Sequence, residues 1–328
     1  MATETLDPPK PQSLSAGPVP PGRGPDRVFR VLTLAAGLLV LVILLLIIVT
    51  TSGQAQSWFS AEGLGTIFSS NWDPAHHHFG SLGLLVGTIE VSLIALLISV
   101  PVSVGLALFV TEVSPRRLRR PIVYTVDLLA AVPSVVFGLW ALQILLKPLS
   151  DAYSSVADGT VGFPLLGALF SHPSASGQAI MTAGIVVGIM ITPIVTAITR
   201  EVFATCPASQ KEAALALGAT RWEMIRGAVF PHGRSGVLSA VMIGFGRAVG
   251  ETIAVALVVG SSPQLTAHIF GPGDTMASII ANEFGDATGT WRSALIGLGL
   301  ALLALTVVIG IVARTVFGRS ERRLGVVL

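Results

Sequence analysis

Cysteine, lysine and charge are scarce in this sequence. Its 328 residues include one cysteine and three lysines, and only 12% of them are charged. The single thiol, Cys206, excludes an intramolecular disulfide, and no lysine lies in a G-x-x-x-x-G-K-[ST] loop for ATP. A G-x-S-x-G elbow and an H-E-x-x-H pair are also missing. We therefore expect no catalytic residue, metal or cofactor in this chain, and no nucleic acid as a partner.

Apolar residues dominate instead and make up 52% of the sequence. One soluble core could not bury that share, so the composition predicts an integral membrane protein. Crossing about 30 Å of hydrocarbon takes roughly 20 apolar residues in a helix. Runs of that length cover residues 28–50, 84–111, 121–146, 179–200, 237–260 and 293–316. We predict an all-α, polytopic membrane protein with six transmembrane helices.

The basic residues predict how these spans are oriented. Seventeen of the twenty lysines and arginines lie in residues 1–30, 116–120, 200–234 and 314–328. By the positive-inside rule, these segments and both termini are expected in the cytoplasm. The alternating segments, 51–83, 147–178 and 261–292, are then expected outside. Three consecutive histidines, His76 to His78, lie there, but adjacent residues cannot converge on one metal, so we predict no metal site.

The predicted organisation has four parts. Residues 1–27 are rich in proline and lack an apolar run, which is typical of a disordered tail, here cytoplasmic. The first transmembrane helix covers 28–50, and a transmembrane domain covers 80–316. Within that domain, residues 201–234 form a cytoplasmic loop, which we call the coupling loop. A second cytoplasmic tail is expected at 317–328.

The coupling loop has the local sequence of two short helices joined by a turn. Two capping boxes of the S/T-x-x-E type occur in it, Ser209 with Glu212 and Thr220 with Glu223. Gly218 lies where the first helix needs a left-handed residue to end. A membrane protein has little reason to encode such a structured loop unless another protein docks on it.

A few charged residues lie within the predicted spans: Glu90, Asp127, Arg247 and Glu251. Each costs at least ~2.5 to 3.5 kcal/mol at mid-bilayer unless it is paired or faces water, so we expect them to face inward. Arg247 lies about halfway along its span, near the membrane midplane. Glu251 follows four residues later, which predicts the same face of the same helix.

Arg247 and Glu251 have two interpretations. They neutralise each other and lock the bundle, or they line a path in which the guanidinium binds an anion such as phosphate or sulfate. In the second case Glu251 orients Arg247 or senses the ligand's proton. Thr252 could add a hydroxyl donor to the path or bond to its own helix. Pro133 interrupts its helix beside Ser134, and broken helices commonly form substrate sites, so both are further path candidates.

The coupling loop resembles the EAA loop of the membrane subunits of bacterial ABC importers. Glu212-Ala213-Ala214, Gly218 six residues later and Pro231 at the end carry the resemblance. Ala228 and Phe230 replace the usual aliphatic pair before the proline. Three further stretches are similar to phosphate-importer permeases of the PstC type: Ala130 to Leu139, Gly246 to Thr252 and Met276 to Phe284.

This resemblance implies a type I ABC importer permease fold of the MetI-like kind in a bacterial cytoplasmic membrane. The implied partners are a homologous permease subunit of the PstA type, two cytoplasmic ATPase subunits of the PstB type and an external phosphate-binding protein of the PstS type. The residues implied to couple to the ATPase are Glu212, Ala213, Ala214, Leu217, Gly218 and Pro231.

The resulting expectation is a permease subunit that passes inorganic phosphate, driven by ATP hydrolysis in a partner. A permease for sulfate or molybdate is the alternative within the superfamily, because Arg247 suits any such anion equally well. An ion-coupled secondary transporter using Glu90, Asp127 and Glu251 is the alternative outside it. That reading gives no reason for the coupling loop, and the repeated halves usual in such transporters are not apparent.

Overall fold

The computed structural model describes residues 24–160 and 162–323. Most of the predicted N-terminal tail, and the end of the C-terminal one, lie outside these residues. The helices are α1 (Gly24–Glu62), α2 (Leu82–Leu108), α3 (Arg116–Ala130), α4 (Ser134–Trp140), α5 (Leu146–Thr160), α6 (Pro164–Phe170), α7 (Ile180–Ala204), α8 (Ala208–Ala216), α9 (Arg221–Met224), α10 (Phe230–Val249), α11 (Ile253–Val258), α12 (Met276–Glu283) and α13 (Gly289–Arg323). A short antiparallel hairpin pairs β1 (Trp72–Asp73) with β2 (His78–Phe79).

The chain divides into two compact units at Thr50 and Thr51. The described part of the first unit is a single helix whose leucine, valine and isoleucine side chains are exposed along its length. Helix α1 begins before the predicted span 28–50, inside the predicted tail, and ends after it. In the second unit, the buried Trp58 packs on α13 at Gly297, where even a Cβ atom would clash with its ring.

The centre of the second unit is the pair α2 and α7, which confirm the predicted spans 84–111 and 179–200. Small residues let these helices approach closely, as is usual for helices in lipid. At Gly188, an added Cβ would lie 3.1 Å from the carbonyl oxygen of Ala95, and at Gly184 it would overlap Ile94. The buried hydroxyl groups of Thr88 and Ser92 on α2 donate to carbonyl oxygens one turn earlier in their own helix.

The third predicted span, 121–146, is not one helix. Helix α3 ends at Ala130, Pro133 caps α4 in an extended conformation, and a wide π-turn at Ala141–Leu145 leads into α5. Pro133 cannot donate a backbone hydrogen bond, so a break there is the physical consequence. The expected kink or break is therefore confirmed.

The third crossing contacts α7 near both ends of that helix and so runs alongside it. Asp127 pairs with Arg200 near one end of α7 at 3.8 Å, and Leu146 lies against Gly177, just before the other end. At about 1.5 Å per residue, both segments span roughly 30 Å. Beyond this crossing, α5 and α6 occupy part of the predicted external loop 147–178, and α5 is fixed by Tyr153, whose hydroxyl lies 2.8 Å from that of Thr182.

The fifth predicted span, 237–260, is also divided, and this was not expected. Helix α10 ends at Val249, Gly250 to Thr252 are not helical, and α11 begins at Ile253. The described residues contain five helical segments that are long and apolar enough to cross a membrane, and one of them joins α4, the π-turn and α5 over Ser134–Thr160. The last of these, within α13, confirms the predicted span 293–316.

The segment between α11 and α13 folds back on α2. The carbonyl oxygen of Asp274 lies where a side chain at Gly87 would be, and Thr88 Oγ1 accepts a hydrogen bond from the Met276 amide at 3.0 Å. Thr275 caps α12 in a reciprocal capping box with Ser278. The buried carboxyl group of Asp274 accepts hydrogen bonds from the Thr275 amide and the Ser278 hydroxyl. Helix α12 is therefore fixed to α2 at its start.

Candidate functional site

The first helix of the coupling loop ends as its sequence predicts. Gly218 has a φ of 85°, in the left-handed region that favours glycine. Its amide donates to Leu215 O at 3.0 Å, and the Ala219 amide donates to Ala214 O at 3.2 Å. These two bonds form a complete Schellman motif, which satisfies carbonyl groups at the end of α8.

The two predicted capping boxes have different outcomes. Thr220 and Glu223 cap α9 reciprocally, with the Glu223 amide donating to Thr220 Oγ1 at 3.3 Å and the Thr220 amide to Glu223 Oε2 at 2.8 Å. The bond from the Thr220 amide, and a second one from the Thr220 hydroxyl to the same carboxylate oxygen, lower the pKa of the Glu223 carboxyl group. The box at Ser209 and Glu212 is wrong: α8 is preceded by Pro207, and Ser209 already lies inside its first turn. Because Pro207 holds an extended conformation, it starts the helix two residues earlier.

The second helix of the loop is not short. Helix α9 continues through a π-turn at Ile225–Val229 directly into α10. The wide turn precedes Pro231, which cannot donate to the carbonyl group four residues before it, so the helix widens and passes the proline instead of ending. Helical structure therefore runs from Arg221 to Val249.

The coupling loop has a buried side and an exposed side. Its buried side packs on α2 and α7 through a cluster made of Ala107, Phe203, Cys206, Met224, Ile225 and Val229. Ala214, one of the predicted ATPase-contact residues, packs partly against this cluster. The predicted residues Glu212, Ala213, Gly218 and Pro231 are exposed, and Leu217 is 90% exposed.

Two features of the loop were missed by sequence reasoning. Trp222 is 61% exposed beside the predicted contact residues, although a tryptophan in a loop is a visible signal for a docking surface. Lys211 pairs with Glu112 at 2.6 Å, between α8 and the π-turn Phe109–Val113 that follows α2. No local pattern connects these two residues, which are 99 positions apart.

Arg247 and Glu251 do not share a helix face, which corrects the expectation of consecutive turns. Arg247 lies in the last turn of α10 and is exposed in this isolated chain. Glu251 lies in the break and is only 8% exposed, with its Oε1 accepting a long 3.5 Å hydrogen bond from the Ala254 amide. In the part of the chain that the structure describes, Arg247 forms no ion pair. The mutual neutralisation considered from the sequence is therefore not the arrangement found.

The remaining path candidates lie at the two helix breaks. Thr252 Oγ1 donates to Gly250 O at 3.1 Å, so its hydroxyl bonds to the break itself. Pro133 caps the start of α4, and Ser134 is its first residue.

The two breaks are at the same level of the bundle. Helices α4 and α11 pack together, and a Cβ atom on Gly138 would lie 3.0 Å from the Ala254 Cα. Both helices lead toward the segment before α7: Leu146 lies against Gly177, and Val258 O accepts from the Ala179 amide at 3.1 Å. Because Gly138 is one turn past Ser134, the start of α4 lies level with the break after α10.

This arrangement brings two helix N-termini to one region in the middle of the crossings. Their unpaired amide groups and aligned peptide dipoles favour negative charge. Arg247 lies one turn before the second break and adds a full positive charge. The buried Glu251 carboxylate already occupies part of the positive end of α11. The site is therefore suited to hold an anion, with a guanidinium that has no carboxylate partner among the described residues.

Comparison with known proteins agrees with this architecture. Residues 99–326 match the family described as binding-protein-dependent transport system inner membrane component. The chain is 40% identical to the phosphate transport system permease protein PstC of Xylella fastidiosa (strain 9a5c), over 92% of this chain and 93% of that protein. It is 41% identical to PstC 2 of Mycobacterium tuberculosis (strain ATCC 25618 / H37Rv), over 97% and 98%.

A solved structure of a bacterial alginate ABC transporter, in complex with an alginate pentasaccharide-bound periplasmic protein, contains a similar chain. The TM-score is 0.55 at 18% identity, covering 91% of this chain and 97% of that one, a likeness that shows the fold alone. The fold and the coupling loop thus define a membrane permease of the ABC importer class, and the expected all-α permease fold is confirmed. More specifically, the chain belongs to the family of binding-protein-dependent transport system inner membrane components. It is a transport subunit that works with other subunits of such a system.

Proposed function

We propose that this chain forms half of the membrane pathway of an ATP-driven importer of inorganic phosphate. The observation that carries the proposal is Arg247, which forms no ion pair among the described residues and lies one turn before the break that precedes α11, in a chain about 40% identical to permeases named for phosphate transport. A dianion moving through this region would meet the exposed Arg247 guanidinium and the backbone amide groups at the start of α4, whereas the Ala254 amide at the start of α11 already donates to Glu251. Such a site lowers the barrier to a desolvated anion and still releases it, because it does not enclose it.

The proposed path residues have separate roles. Arg247 binds the anion, and Glu251, held at the start of α11, sets the position of the break and excludes a second anion by repulsion. Thr252 and Ser134 supply hydroxyl groups beside the breaks, and Pro133 keeps the start of α4 open by interrupting the helix. In this conformation the Glu251 carboxylate bonds to α11 and not to Arg247, which supports a guanidinium available to substrate.

The proposed coupling surface is the exposed side of the loop. Leu217 and Trp222, together with the exposed Ala213, offer apolar and small side chains to a groove on a cytoplasmic ATPase. A movement imposed there would travel along the helical segment from Arg221 to Val249, which is roughly 40 Å long at about 1.5 Å per residue. That segment ends two residues after Arg247, so one element connects the docking surface to the anion site.

The proposed assembly contains a second, homologous permease of the PstA type, two ATPase subunits of the PstB type and an external phosphate-binding protein of the PstS type. The complex lies in the bacterial cytoplasmic membrane, with both termini and the coupling loop of this chain in the cytoplasm. The distribution of basic residues supports that orientation.

Reconstitution in proteoliposomes tests the proposal. The complex, purified through this chain with its partners, should take up phosphate and hydrolyse ATP faster when the phosphate-loaded binding protein is added. Sulfate or molybdate with their own binding proteins should have no effect. Stimulation by either of those anions instead would assign the permease to that anion, and uptake by this chain alone along an ion gradient would make it a secondary transporter.

A further inference from the structure

A second connection leaves the coupling loop besides the α9 and α10 helical segment. Lys211, in α8, places its Nζ 2.6 Å from Glu112 Oε1, on the π-turn that follows α2. The Glu112 side chain is 8% exposed and that of Lys211 22% exposed, so the ion pair is largely withdrawn from water. Most surface ion pairs contribute little, but a desolvated pair with a short, charge-assisted hydrogen bond holds its two elements firmly.

Helix α8 has few other attachments. None of its residues is fully buried, and only Ala214 packs partly on the cluster beneath the loop. Its carboxyl end is fixed by the turn at Gly218, which bonds only to α8 itself. Among the described residues, the ion pair with Glu112 is therefore the polar side-chain contact that joins α8 to the rest of the bundle. Glu112 follows directly on α2, which packs closely on α7 at Gly184 and Gly188.

We propose that the Glu112–Lys211 ion pair is a tether that makes α8 and α2 move as one body. A movement that the ATPase imposes on the coupling loop then reaches the α2–α7 pair directly. Both residues are positioning residues and contact neither the substrate nor ATP. This inference rests on the proposed function, because it adds a second mechanical route to the same coupling loop. The first route leads along α10 to Arg247, and the tether leads to α2.

The only cysteine in the sequence reports on the tether without any transport assay. Cys206 lies between α7 and α8 and is buried beside Lys211 and Glu112. Burial raises the pKa of its thiol, and the positive charge of Lys211 lowers it by a smaller amount. Replacing Lys211 by methionine therefore makes the thiol less acidic, which by itself slows alkylation. Release of α8 exposes the thiol, which speeds alkylation, so the two effects have opposite signs.

We expect Lys211→Met to speed maleimide labelling of Cys206 by about tenfold, the shift in local opening that loss of a charged hydrogen bond produces. The labelling is measured on the assembled complex by mass spectrometry of this chain. Lys147→Met is the matched control, because Lys147 is exposed in α5, far along the sequence from the loop. Unchanged or slower labelling of the Lys211→Met protein overturns the tether.

The double variant Glu112→Gln with Lys211→Met separates loss of the tether from the cost of leaving the Glu112 carboxylate buried without a partner. The single change leaves Glu112 as an unpaired buried charge, which can disturb folding, whereas the double change leaves no charge to penalise. If the pair is a tether, the double variant assembles normally, binds its ATPase and still moves several-fold less phosphate per ATP hydrolysed. Coupling equal to that of the unaltered complex overturns the proposal. A failure of the proposed function is distinct, because then the unaltered complex would not import phosphate at all.

Discussion

Substitution of Gly218 tests the turn that ends α8. Gly218 has a φ of 85°, and a Cβ atom built there meets no atom within 4 Å. A larger side chain therefore has space, and its cost is only the left-handed backbone conformation, about 1 to 2 kcal/mol for an ordinary residue. A cost of that size changes the ratio of formed to unformed turn by roughly 5- to 30-fold. Asparagine tolerates this conformation far better than alanine or valine does.

The expected order of coupled phosphate uptake is therefore glycine, asparagine, alanine and then valine, with Gly218→Val reduced by about an order of magnitude. Uptake per ATP hydrolysed in proteoliposomes measures the effect. Amide exchange in α8 shows whether the turn has opened, and the melting temperature of the complex should hardly change because the turn bonds only within the loop.

Three results would refute this reasoning. If Gly218→Asn were as damaging as Gly218→Val, the size of the side chain against the ATPase would matter, and not the backbone conformation. If Gly218→Val retained normal uptake, the geometry of the turn would have no part in coupling at all. Normal amide exchange combined with lost uptake would also point to a collision at the docking surface.

Three further changes have expected outcomes. Arg247→Gln should abolish phosphate uptake while the ATPase still co-purifies. Arg247→Lys should retain part of the uptake, because lysine keeps the positive charge but lacks the planar fork of donors. Unchanged uptake in Arg247→Gln would reduce Arg247 to a packing residue. Gly138→Ala should destabilise the complex by about 1 to 3 kcal/mol in thermal unfolding through overpacking on Ala254, whereas Gly105→Ala, which meets no atom within 4 Å, should be neutral or slightly stabilising. Burial raises the pKa of Asp274 from 3.8 to about 6, so the folded state binds the carboxyl proton more tightly than the unfolded state. The stability of α12 should therefore fall as the pH rises from about 3.8 to about 6. Asp274→Asn should remove this pH dependence, which is measured by the amide exchange of α12.

The sequence predicted the continuous crossings best. Helices α2, α7 and α13 agree with the predicted spans because each apolar run is uninterrupted and buried packing reinforces it. The break at Pro133 agrees with the expectation, but proline alone does not explain it, because α2, α7 and α10 contain Pro101, Pro193 and Pro231 without a break. In the loop, Gly218 and Thr220 set local bonds that need no tertiary contact.

The break after α10 was not predictable in the same way. No residue from Gly250 to Thr252 forbids a helix, and the interruption depends on Glu251 turning its carboxylate toward α11 and on α11 packing against α4. These are tertiary interactions, which override a local helical pattern. For the same reason, the spacing of Arg247 and Glu251 suggested a shared helix face that does not exist.

The break after α10 separates two parts of the fifth crossing that have different neighbours. Helix α10 packs on the half of α7 that leads to the coupling loop, where Gly244 faces Val195 and Gly236 faces Val202. Helix α11 is fixed at the other end of α7, where Gln178 Nε2 donates to Leu257 O at 3.1 Å. We infer that a force applied at the coupling loop would move α10 first and bend the chain at the break before it displaced α11. Arg247 would then lie on the moving side of this bend and Glu251 on the other side. The distance between their charges would change with each movement, and with it the attraction of the site for an anion.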